Sequence, residues 1–164
     1  MIRLLARLRV PLGFLFAIFV FLLAGPTPRT LLAGALVALA GEALRIWASG
    51  HLEKGREITS SGPYRLMRHP LYVGTSIMGG GLAIVSASWA AGAIIVAYLA
   101  TTLTAAVRTE EAFLRGKFGG DYDAYCAGRT TARGFSAARV VRNREHRALI
   151  GLLAGLLLLA LKTS

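Results

Sequence analysis

This chain is poor in charge, in acid and in thiol. Of its 164 residues only 16% are charged, against roughly a quarter in a soluble domain. Eight are acidic, three are histidine and one, Cys126, is cysteine. A single thiol excludes an internal disulfide and any multi-cysteine metal site. His51, His69 and His146 are too scattered for a zinc pattern, so no metal is expected. Cys126 itself reads as a small packed side chain. No Gly-x-Gly-x-x-Gly follows a strand, and there is no phosphate-binding loop, which removes the common nucleotide-binding classes.

Apolar length takes the place of charge. The chain is 55% hydrophobic, with a mean hydropathy of +0.58, and leans strongly towards the bilayer. The net charge of +11 could point to nucleic acid. However, the basic residues lie between apolar runs rather than along one face, so orientation in a membrane accounts for them and no nucleic-acid partner is expected. The excess of arginine over lysine, with abundant alanine and glycine, fits a GC-rich bacterial genome.

Five apolar runs predict an all-α integral membrane helical bundle, a single domain over residues 1–164 with about five transmembrane helices. The spans are read at approximately 10–25, 31–50, 70–88, 89–107 and 148–161. Arg3, Arg7 and Arg9 precede the first run, and Gly25-Pro-Thr-Pro-Arg29 is a poor cleavage site, so a retained helix is expected. Spans three and four are separated only by Ser86-Ala87-Ser88 and must form a tight antiparallel hairpin. Gly79-Gly80-Gly81, midway along span three, lets a neighbouring backbone come close. Beyond residue 107 a helix runs out of the membrane, followed by a glycine turn and a short helix. The basic stretch 128–147 is expected to lie along the lipid headgroups. The last run, only fourteen residues, reads as a short helix helped across by Arg147 and Lys162.

Sixteen lysines and arginines fall in the N-terminal segment, the 51–69 loop and the 108–147 stretch. Arg29 and Lys162 stand alone on the other side. The N-terminus and both polar stretches are therefore placed in the cytoplasm, and the protein in the bacterial inner membrane.

The chemistry-bearing residues collect on that side, in elements 51–72 and 108–130. Pro63 and Pro70 stiffen a turn that delivers Arg68 and His69 to the membrane surface. Pro70 opens the next helix and Tyr72 lies on its first turn. Because spans three and four form a hairpin, Arg68 and His69 should meet Glu110 and Glu111, with Tyr122 and Tyr125 just beyond. Two cations, two carboxylates and several aromatics suit a zwitterionic ligand with a flat aromatic part. S-adenosylmethionine is such a ligand: an arginine could pair with its carboxylate, a glutamate with its ammonium, and rings could cradle the sulfonium or adenine. Taken alone, His69 reads as a structural hydrogen-bonder sooner than as a base, the Glu110–Glu111 pair as a solvated helix face, and the tyrosines as interfacial anchors. Deeper in span two, Glu42 and Arg45 share a helix face. They read either as an ion pair that fixes packing or as part of a substrate site together with Trp47.

The motifs are more specific together. Gly62-Pro-Tyr-Arg-Leu-Met-Arg-His-Pro-Leu-Tyr-Val-Gly74, then Glu110-Glu-Ala-Phe-Leu-Arg-Gly-Lys-Phe-Gly119 and Tyr122-Asp-Ala-Tyr125, closely resemble the isoprenylcysteine carboxyl methyltransferase family. The phospholipid N-methyltransferases look similar, and Leu44-Arg-Ile-Trp-Ala48 matches a pattern of the bacterial branch. The resemblance covers roughly residues 41–125. It implies a membrane-bound methyltransferase that uses S-adenosylmethionine as cofactor and takes a lipid or other lipophilic acceptor from the bilayer. The resemblance implies that His69, Pro70, Tyr72, Glu110, Glu111, Tyr122 and Tyr125 bind the cofactor, with Arg68 helping to shape the pocket. Arg68, to orient a carboxylate, and His69 or Glu111, as base for an amine, are the expected catalytic residues. Glu42, Arg45 and Trp47 are expected on the acceptor's side as intramembrane polar residues. The stretches Arg56-Glu-Ile-Thr-Ser-Ser61 and Thr130-Thr-Ala-Arg-Gly-Phe135 depart from the family pattern. A rival reading is a non-enzymatic membrane protein that binds a small ligand or serves as an assembly partner on the same fold.

Overall fold

The computed structural model describes residue 13 and residues 15–163. Arg3, Arg7 and Arg9, and the first residues of the expected first span, lie outside them. Among the described residues the fold is all helical. It comprises α1 (residues 15–23), α2 (Pro28–Ser49), α3 (Pro70–Ser86), α4 (Trp89–Phe118), α5 (Gly120–Cys126), α6 (Ala137–Arg142), α7 (Glu145–Leu161) and a 3₁₀ turn at Gly62–Arg65.

The helix ends follow local chemistry. Thr27 caps α2, accepting from the Thr30 N–H at 3.2 Å while the Thr30 hydroxyl accepts from the Thr27 N–H at 2.9 Å. Pro28 fills the first helical position, so α2 starts three residues before the apolar run does. Helix α3 begins at Pro70 as expected. It stops at Ser86, because Ala87 turns left-handed (φ 48°) and Ser88 already caps α4. Two residues therefore join α3 to α4. Helix α4 runs on for 30 residues, about 45 Å. That exceeds the roughly 30 Å hydrocarbon layer, so its last turns project beyond the apolar part. Gly119 (φ 48°) makes the foreseen glycine turn, and α5 is the short helix after it. Helix α7 starts three residues ahead of the expected 148–161 run.

Helices α2 and α3 form the tightest pair, and glycine decides how close they come. A Cβ on Gly41 would lie 2.6 Å from the Gly74 carbonyl, and one on Gly74 2.7 Å from the Gly41 carbonyl; Gly34 and Gly81 repeat the contact seven residues along each helix. In lipid no hydrophobic force pulls helices together, so this backbone proximity is the source of their attraction. Of the glycine triplet, Gly81 abuts α2, Gly79 receives Leu99 of α4, and Gly80 faces open space. Successive residues are about 100° apart on a helix, so one triplet serves two neighbours. The buried apolar cluster is small: Ala24, Val85 and Leu159, ringed by Phe21, Leu31 and Leu156.

Among the described residues two helices, α2 and α4, are long and apolar enough to cross a membrane; α3 is a shorter apolar helix. Only 6% of the apolar window of α4 is buried within the chain. A helix that is apolar all round and uncovered by protein needs lipid around it. The fold is that of a membrane-associated helical protein.

Candidate active site

The site begins where α2 ends. The His51 ring donates from Nδ1 to the Trp47 carbonyl at 3.1 Å and lies over Gly62. Gly62 has φ 57°, and a Cβ there would stand 2.6 Å from the His51 ring. Only glycine fits such a place. The 3₁₀ turn then closes with the Leu66 and Met67 N–H groups donating to the Pro63 carbonyl at 3.0 and 3.1 Å. Pro63 and Pro70 are buried, so the turn is anchored at both prolines. Arg68 and His69 emerge from it, and His69 is the N-cap residue of α3.

The hairpin returns α4 to the same level. His69 Nε2 donates to Glu111 Oε1 at 3.1 Å, and His69 Nδ1 stands 4.0 Å from Glu110 Oε2. Arg68 Nη1 lies 4.0 Å from Glu111 Oε1 and 3.9 Å from Cys126 Sγ. The His69 hydrogen bond holds the Glu111 carboxyl below its ordinary 4.5, so Glu111 is an anion at neutral pH. The Tyr72 ring sits 5.7 Å from the His69 ring. From α5, the Tyr125 hydroxyl donates to the Tyr64 carbonyl at 2.8 Å, which ties α5 to the turn. Burial pushes the Tyr122 and Tyr125 phenols up to about 12, so both remain neutral donors. Cys126, expected to be packed, is exposed. It sits at the outer end of a seven-residue surface helix.

Most of these groups border a cavity of about 850 Å³; Glu111 and Cys126 stand beside it rather than in its wall. Its wall includes Arg68, His69, Tyr72, Glu110, Tyr122 and Tyr125, and on the inner side Arg45, Thr75, Thr101, Thr102 and Glu145. Pro70 is buried at the base of α3, setting its first turn.

Arg45 reaches this wall fully engaged. Its Nε donates to Glu42 at 3.1 Å, Nη1 donates to Thr75, and Nη2 pairs with Glu145. The guanidinium thus bolts α2 to α3 and α7, with no nitrogen left over for an acceptor carboxylate. Glu42 is buried to 1% exposure and its Oε1 has no hydrogen-bond partner. Trp47 lies apart from the cavity wall, half-exposed with its ring edge-on to His51.

Sequence reasoning did not single out Glu145, Thr75 or Tyr64. The clue for Glu145 was a lone acid among the arginines from Arg139 to Arg147: in a basic stretch a single carboxylate has a partner to find. Within the basic stretch 128–147, residues 128–144 strap the 50–60 loop. Arg133 pairs with Glu57, and Arg142 Nη2 stands 2.7 Å from Glu53 Oε2. Asn143 Nδ2 donates to the Ser49 and Leu52 carbonyls at 2.9 and 3.0 Å. The two acids of that loop hold the strap through Arg133, Arg139 and Arg142. Glu53, Glu57 and Asn143 line the cavity, so the strap supplies part of its wall.

Residues 30–121 match the phospholipid methyltransferase family model, and the chain belongs to that family. The match contains His69, Glu110 and Glu111, and agrees with the resemblance carried by the two motifs. That family is one of methyltransferases. Over 94 residues the chain is 33% identical to the cobalt-zinc-cadmium resistance protein CzcN of Cupriavidus metallidurans, which covers 56% of this chain. The chain spans 44% of that relative's length. No solved structure matches.

Proposed function

We propose that this protein transfers the methyl group of S-adenosylmethionine to a lipophilic acceptor lying in the membrane. The observation that carries the reading is the convergence of Arg68, His69 and Glu110 from two helix ends on one cavity, with Glu111 hydrogen-bonded to His69 beside it. The donor set fits the cofactor. Arg68, more than half exposed and only loosely held, is the cation available to a carboxylate. Glu110 is the carboxylate available to an ammonium, and Tyr72, Tyr122 and Tyr125 offer rings for the adenine and sulfonium.

When bound, S-adenosylmethionine supplies an electrophilic methyl whose carbon–sulfur bond breaks, its electron pair returning to sulfur, as the acceptor's lone pair forms the new bond. The chain has to align acceptor and methyl in a site shielded from water. A carboxylate acceptor attacks without a base, as for an isoprenoid-type acid. An amine acceptor, as in phospholipid N-methylation, must also lose a proton, and the His69–Glu111 pair is placed to take it. Arg68, His69 and Glu111 are the catalytic candidates. Pro70 fixes their turn, and Arg45 and Glu42 hold the inner wall.

In this reading α1, α2, α3, α4 and α7 cross the membrane, with the N-terminus and the site on the cytoplasmic face of a bacterial inner membrane. The bias of lysine and arginine to the site's side carries that orientation. Calorimetry of S-adenosylmethionine on detergent-purified protein tests the reading. Micromolar binding that Glu111→Gln weakens about tenfold, or about 1.4 kcal/mol, is expected. No binding in detergent or in nanodiscs would reject it.

A further inference from the structure

A second cavity, about 460 Å³, lies among α1, α3, α4 and α7. Phe16, Phe21, Met78, Leu99 and Leu158 are typical of its wall. Among the described residues only Thr75 lines both this cavity and the polar one. Its hydroxyl accepts from Arg45 and donates to the Leu71 carbonyl at 2.8 Å, so the junction is held rigidly.

We propose that this apolar cavity is the tail site of the methyl acceptor, and that it takes one hydrocarbon chain rather than the two of a diacyl phospholipid. The inference rests on the function proposed above and goes further in naming the acceptor's shape. Three observations carry it. The wall is aliphatic and aromatic apart from Thr75 and the Tyr98 hydroxyl, which suits hydrocarbon and nothing polar. The cavity adjoins the cofactor-sized one, with Thr75 in the wall of both. Its volume of about 460 Å³ also matches one chain: a cavity of roughly 150 Å³ holds benzene, and by that scale about eighteen carbons fit.

The register also limits the head group. Thr75 is six residues from His69 along α3, about 9 Å of rise. A chain seated in the apolar cavity therefore presents its head to Arg68, His69 and Glu111 only if that head is compact. The occupant is a single-chain amphiphile with a small reactive end.

The test is photolabelling of the protein in phosphatidylcholine nanodiscs, with label positions read by mass spectrometry. One probe is palmitic acid bearing a diazirine at mid-chain; the other is a two-chain phosphatidylethanolamine carrying the same acyl group. Gly155 lines the apolar cavity and has open space around its Cα, so Gly155→Leu fills the cavity without a clash. A Cβ at Gly151, one turn earlier on α7, also meets nothing among the described residues, and Gly151 lies outside both cavities, so Gly151→Leu is the control. The fatty-acid probe should label α3 and α7 at the cavity, and Gly155→Leu should cut that labelling about tenfold while Gly151→Leu leaves it intact. Equal labelling in the two variants overturns the proposal. So does labelling of the same peptides by the phosphatidylethanolamine as strongly as by the fatty acid. S-adenosylmethionine calorimetry on the same wild-type preparation separates the two readings. Labelling without cofactor binding upholds the tail site and rejects the function, and cofactor binding without labelling does the reverse.

Discussion

His69 Nε2 and Glu111 Oε1 stand 3.1 Å apart although 42 residues separate them in the chain. His69 caps the start of α3, Glu111 lies near the far end of α4, and the two-residue joint at Ala87–Ser88 folds one helix back on the other. The contact is a direct consequence of hairpin length. It also joins the two halves of the candidate cofactor site. Replacing His69 with alanine should weaken S-adenosylmethionine binding about tenfold, about 1.4 kcal/mol, with little change in melting temperature. Calorimetry and thermal unfolding on the same preparation check both parts.

Acid should act on the same pair. The Glu111 carboxyl is held below its ordinary 4.5 by the His69 hydrogen bond. A lowered carboxyl contributes stability that is present above the ordinary value and is lost as pH falls through the lowered one. Wild-type protein should therefore lose the Glu111 contribution only well into the acid range, and Glu111→Gln should show none of that acid dependence. A comparison of denaturation midpoints across pH decides it.

Alkali should loosen α5. Burial raises the Tyr125 phenol from 10.0 to about 12. Between those values the unfolded chain ionises first, so stability falls as pH rises. Tyr125→Phe removes both the titration and the bond to the Tyr64 carbonyl, at a cost of about 1 kcal/mol at neutral pH. Ultraviolet titration of tyrosinate, paired with unfolding curves, measures the two effects separately.

Arg45 holds two buried carboxylates, Glu42 and Glu145. Arg45→Ala leaves both without their cation and should cost about 3–5 kcal/mol. Glu145→Gln, which keeps a hydrogen-bond acceptor for Arg45 and removes the second charge, should cost much less. Thermal unfolding of the two variants in one detergent ranks them; equal costs would mean that Arg45 does not bear the charge.

The glycine triplet offers a contrast within one turn of helix. Gly81→Leu drives a side chain into the α2 backbone and should destabilise by at least about 1–3 kcal/mol. Gly80→Ala meets nothing and should stabilise by roughly 0.5–1 kcal/mol. Melting temperatures of the pair check the direction of both.

The sequence by itself determined that the chain is helical and apolar, where α2, α3 and α7 begin and end to within a few residues, and that Arg68, His69, Glu110 and Glu111 would meet; it did not foresee α6 in the basic stretch. What it determined follows from local causes. Run length and a proline set α3, a short joint forces the hairpin, and two helices of known rise bring their ends level. The scarcity of acid was legible too, and seven of the eight acidic residues have a basic partner within 4.0 Å. Which partner each takes was not legible. Glu145 crosses to Arg45, and Glu53 and Glu57 draw in a strap from 80 or so residues downstream. Only the tertiary structure decides such pairs, because charge attracts whatever opposite charge the packing brings near and carries no preference along the chain. The same holds for Thr75, an unremarked residue in the sequence. Its place between two cavities exists only once four helices have been packed around them.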